Sequence, residues 1–145
     1  MSQPMGKIMG MIKLSKMNEP KIVLEKFLKY WEKEKWEEMI KYVELNWLGY
    51  DWEGKPDLIP NCMKALFGWK ELKRWKIIEM IEKKSEKISY LVLITYLFYG
   101  KIKVRKIKVM VSFQSDFINK SKQRWGINPI SCLEEYNLEG EKAWK

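Results

Sequence analysis

KISYLVLITYLFYGKIKVRKIKVMVSF, residues Lys87–Phe113, carries two extended segments and the reversal between them. The uncharged run Tyr90 to Tyr99 is rich in strand formers and about half as long as a helix that crosses a bilayer. It reads as a buried strand, and Gly100 marks the reversal. Beyond it Ile102 and Val104 alternate with Lys101, Lys103 and Arg105, whereas Ile107, Val109, Val111 and Phe113 alternate in the opposite phase. A one-residue slip turns every later side chain to the other face, so the pattern predicts a bulge at Arg105-Lys106. A long bent strand implies a curved sheet. Tyr90 to Phe98 is apolar on both faces, which calls for cover on each. With helices on one side only, a second copy on the other is the economical cover, giving a sheet-to-sheet homodimer. Cover by an N-terminal arm or C-terminal tail is the competing reading.

Outward from this hairpin, Leu72 to Glu82 alternates like a strand and Lys83 to Lys87 like a turn. A helical stripe through Leu72, Trp75, Ile78 and Ile81 is the other reading of that segment. Upstream the period is helical. Asn18-Glu19-Pro20 is a helix entry, and Val23, Leu24, Phe27, Leu28 and Trp31 recur at three- and four-residue spacings. Trp36, Met39, Ile40 and Val43 form a second stripe running on towards Leu45 and Trp47. Gly49 to Pro56 reads as loop, and Asp57 as the cap of a third helix carrying Leu58, Cys62, Leu66 and Phe67. Gly68 is expected to end it in the left-handed conformation that helix exits favour. Downstream, Gln114 to Arg124 reads as a connection and Trp125 to Asn128 as a last strand. The expected organisation is an N-terminal arm over 1–19, one domain over 20–136 and a tail over 137–145.

At 145 residues, 46% hydrophobic and 14% aromatic, the chain suits a single folded α+β domain with helices first and a curved antiparallel sheet after. The formal charge of +9 raises the expectation of an anionic partner. Of the 28 basic residues, however, only Arg74, Arg105 and Arg124 are arginines, the residue best suited to planar bidentate readout. Cys62 and Cys132 are the only cysteines and neither sits at metal-ligand spacing, so they read as buried free thiols and no metal is expected. The chain has no histidine, which removes the commonest general base and both His-dependent nucleophile systems. Lys7, Lys13 and Lys16 interrupt any signal-peptide-like apolar run, and the chain reads as cytoplasmic with no membrane partner.

Three elements, taken in order, carry a resemblance: Phe27-Leu28-x-x-Trp31 followed by Trp36-x-x-Met39, the helix exit Leu66-Phe67-Gly68, and the closing Trp125-Gly126-Ile127-Asn128-Pro129-Ile130. Over about Pro20 to Tyr136 the chain resembles the NTF2-like (cystatin-like α+β cone) superfamily, in particular small bacterial members of unassigned function. The resemblance implies helices packed in the concave face of a curved sheet, leaving a cone with a pocket. Folds of this kind host isomerases, dehydratases, hydrolases and binding modules alike, so chemistry has to be read from the site.

Trp31, Trp47, Tyr96, Phe98 and Trp125 are the candidate lining of a cone that takes a small apolar ligand; the bland reading is that these rings fill it. An isomerase-like mechanism needs a carboxylate beside a buried donor such as Tyr96, and Asp51, Asp57 and Asp116 all fall in loops or caps. No catalytic residue is therefore assigned, and a carboxylate buried beside a tyrosine would favour an enzyme. No glycine pattern suits a phosphate cradle, so no cofactor is expected. Lys101, Lys103, Arg105, Lys106 and Lys108, with Lys70, Lys73, Arg74 and Lys76 nearby, are the candidate nucleic-acid surface. Alternating lysine on a strand also protects an edge from aggregation, the favoured reading.

Overall fold

The structure, a computed structural model, describes residues 19–47 and 59–143. The Asn18 and Asp57 caps and the arm over 1–18 lie outside the described residues. Helix α1 covers 19–32, and the stripe Val23, Leu24, Phe27, Leu28 and Trp31 is buried. A tight turn at Glu34 leads to the short α2 (Trp36–Met39) and a 3-10 turn (Ile40–Tyr42), which seat Met39 and Val43 in the same core. Helix α3 (Ile59–Phe67) adds Cys62, Met63 and Phe67. Phe67 meets Phe27 edge-on at 5.6 Å and Trp31 at 4.8 Å.

Five strands follow: β1 (Glu71–Lys84), β2 (Lys87–Phe98), β3 (Lys101–Ser115), β4 (Gln123–Ile127) and β5 (Glu135–Tyr136). β1 to β4 pair antiparallel in sequence order, and β5 pairs with the middle of β3 on the edge that β4 occupies further along. The sheet curls into a half-barrel with the helices against its inner face. Ile88, Tyr90, Val92 and Ile94 of β2 join Ile107, Val109 and Val111 of β3 in one core with the helical stripe. Segment 72–82 is thus strand, and both cysteines are buried free thiols. Among the described residues, no helix is long and apolar enough to cross a membrane.

Two local expectations are corrected. β2 and β3 pair residue for residue from Lys87↔Ser112 to Phe98↔Lys101, with no bulge at Arg105-Lys106. The register shifts fall in β1, at Leu72/Arg74, Ile77/Glu79 and Met80/Glu82, and it is β1 that carries the irregularities associated with bending. Because β3 keeps one phase, Lys101, Lys103 and Arg105 share a face with Ile107, Val109 and Val111. What changes at Arg105 is the polarity of that face. Gly68 does end α3, but without a positive φ: a Cβ there would sit 2.5 Å from the Lys64 carbonyl oxygen that accepts the Gly68 amide. Glycine is required by close approach, as at Gly126, where a Cβ would come within 2.6 Å of Val43 O and Glu44 N and part the chain from β4.

Candidate functional site

The polar end of the inner face is built around Glu135. This carboxylate lies opposite Ile107 on the short β5, faces inward, and is only 2% exposed. A buried charge persists only when its oxygens are satisfied, and here both are. Oε1 accepts the Tyr96 hydroxyl at 2.7 Å, and Oε2 accepts Lys70 Nζ at 2.5 Å. The Lys70 ammonium also lies over the Tyr96 ring, 5.4 Å from its centroid. Arg105 Nε stands 3.9 Å from Glu135 Oε1, an ion pair too long for a hydrogen bond, and that buried nitrogen has no hydrogen-bond partner among the described residues. One guanidinium nitrogen, Nη1, donates to the carbonyl of Val104 at 2.9 Å.

Each group has a local reason to be there. Lys70 follows the α3 exit, and its carbonyl accepts the Trp31 indole N–H at 3.1 Å, which ties the turn to the core. Tyr96 and Phe98 close the inward-facing series of β2, and Arg105 stands opposite Ile94, one inner position beyond the dry core. Asn128 caps the 3-10 turn Pro129–Cys132 through the Ile130 amide, bringing the chain back to β3 as β5. The tail then doubles back, with the Ala143 amide donating to Glu135 O and Lys142 bridging to Tyr136.

Between these groups lies a half-enclosed hollow of about 200 Å³, lined by Lys70, Tyr96, Phe98, Lys103, Arg105, Glu135 and Ala143. Burial first, then the bond to Glu135, holds the Tyr96 phenol well above its usual range, so it stays protonated and acts as the donor. Burial likewise pushes the Cys132 thiol up to about 12, leaving it unreactive. A larger groove of about 530 Å³, with Trp69 and Tyr99 on its walls, is open to solvent and, among the described residues, holds no buried polar group comparable to Glu135.

Of the five expected lining rings, the structure brings Tyr96 and Phe98 to this hollow. Trp31 is fully buried against Phe67, Trp125 packs on Phe113 at 5.4 Å, and Trp47 is half-buried at the other side of the core. The five basic residues of β3 are split by the strand's alternation. Lys101, Lys103 and Arg105 share the inner side, while Lys106 donates to the Leu138 carbonyl and Lys108 pairs with Glu82 at 3.3 Å. Asp116 spends its carboxylate on the amides of Ile118 and Asn119, away from the hollow. Among the described residues, no three potential metal ligands cluster. Glu135 escaped the sequence reading, and Lys70 entered it only beside the basic surface of β3; the available signal was Arg105, a cation on an inward-facing position that demands a counter-charge. Compared with known proteins, the chain matches no family model and no curated sequence.

Proposed function

We propose that this chain is an NTF2-like domain that binds a small ligand in the hollow at the polar end of its sheet, without catalysing a reaction on it. The observation that carries this reading is a half-enclosed space of about 200 Å³ with rings and cations on its walls, at a point where the core could have been packed shut. The volume is below the roughly 300–1,000 Å³ of drug-sized sites, so the ligand is compact. The Tyr96–Glu135 pair has the residue types of an acid–base couple, which is what favours the alternative, a small-molecule isomerase or hydrolase. Its bonds weigh against that role. The Tyr96 proton is already engaged in the hydrogen bond to Glu135, and Lys70 occupies the other carboxylate oxygen, so neither group faces a substrate ready to exchange a proton. Titration calorimetry of the intact chain with small aromatic and aliphatic probes tests the binding reading. Saturable binding lost in Phe98→Ala supports it, and heat unchanged by that substitution rejects it.

We also propose that the chain pairs with a second copy through its outer sheet face. The observation here is Ile102, 71% exposed, with Leu97 directly opposite it and Val104 two residues along the same side of β3. Sedimentation at micromolar concentration decides: a species near 17.6 kDa that does not self-associate removes the dimer. The nucleic-acid reading has less support, because the register divides the five cations of β3 between two faces.

A further inference from the structure

The charges around the hollow do not balance. Lys70, Lys103 and Arg105 line it with Glu135 as the sole carboxylate among the described residues. Lys70 and Glu135 satisfy one another at 2.5 Å, and Tyr96 fills the second carboxylate oxygen. Arg105 is left with one bond to its own strand's backbone and a distant, unbonded approach to Glu135. The Lys103 ammonium makes no hydrogen bond or ion pair among the described residues. It lies two positions from Arg105 on the same side of β3, about 7 Å along the strand. Two cations therefore face one small space whose other walls, among the described residues, are the mutually bonded Lys70, Glu135 and Tyr96, the Phe98 ring and Ala143.

We infer that the ligand is a compact organic carboxylate, its charged head held by Arg105 and Lys103 and its apolar body lying against Phe98. This rests on the binding reading above and names the chemical class of what is bound. A guanidinium offers planar donors that match a carboxylate, and an ammonium beside it adds a movable second contact. Partial enclosure strengthens both attractions by excluding water. A neutral molecule of the same shape would leave two cations unpaired, and a cationic one would be repelled.

The test compares benzoate, benzamide and benzylamine, three probes that share a phenyl ring and differ in head-group charge, by calorimetry on the intact chain at low salt. Benzoate is expected to bind, benzylamine not. In Lys103→Met/Arg105→Met, benzoate affinity is expected to fall about tenfold or more, with benzamide unaffected. If the double variant does not fold, Lys103→Gln alone carries the test, with a smaller loss in the same direction. Benzamide or benzylamine binding as tightly as benzoate overturns the carboxylate assignment while leaving the hollow as a binding site. Benzoate binding unchanged in the variants overturns it as well. Binding of none of the three overturns both the assignment and the site.

Discussion

Two lengths of the same inner face differ in everything but backbone. From Ile88 to Ile94 and from Ile107 to Val111 the inward side chains are aliphatic or aromatic and packed against the helices. A few residues further, at Tyr96 and Phe98 opposite Lys103 and Lys101, that face holds cations and a phenol around a hollow. The pairing between the strands is unbroken across the change. A sheet can thus alter the character of one face without altering register, provided another element supplies the compensating charge. Here Glu135 supplies it, from β5.

This contrast can be broken at either end. Glu135→Ala leaves the Lys70 ammonium without its buried partner and is expected to cost about 3–5 kcal/mol in chemical denaturation. Replacing all three bonded groups, as Lys70→Met/Tyr96→Phe/Glu135→Leu, is expected to recover most of that loss, because the desolvation cost disappears with the charges and no buried donor is left without its acceptor. If the single substitution is silent, the polar end is not held by this network. At the dry end Ile94→Ala is expected to cost about 2–5 kcal/mol through lost burial and the cavity left behind, and to be additive with Glu135→Ala only if the two ends are independent.

Tyr96→Phe removes one hydrogen bond to a charged acceptor, for about 1.5–3 kcal/mol near neutral pH. Its folded pKa is raised above the usual 10.0, so the unfolded chain ionises first. The stability from this phenol is therefore complete below that value and is lost as pH climbs through the folded value. The gap between wild type and Tyr96→Phe should narrow above pH 10.0, measured by denaturant midpoints across an alkaline series. The smallest effect is expected on the opposite face: Val104→Thr should stay within about 0.5 kcal/mol in the isolated protomer, as for most substitutions away from a buried network. A larger loss that depends on protein concentration would point to self-association.

Helix stripes and strand alternation made the architecture legible, because burial imposes a period on every element that packs. Val23, Leu24, Phe27, Leu28 and Trp31 all lie where their spacing puts them. The site was only half legible. Tyr96 and Phe98 belong to the strand that announced the fold, but Glu135 sits on a two-residue strand, too short to show any period. The inversion at Arg105 was visible as a pattern and admitted two physical causes, a slipped register or a face that turns polar. Alternation along one strand cannot separate these; the separation came from the partner strands. Local conformation was misjudged at Gly68 for a similar reason, since a close carbonyl three-dimensionally mimics the demand for a left-handed residue.

The reversal between β2 and β3 takes only Tyr99 and Gly100, both at positive φ, the backbone geometry that suits a two-residue hairpin. Chain ends so close meet at little entropic cost, while the Tyr96–Glu135 bond must close 39 residues. Those lengths predict an order of assembly in which the strand pair bearing Arg105 and Lys103 comes together first, with its cations still hydrated, and their desolvation waits for the last strand to arrive.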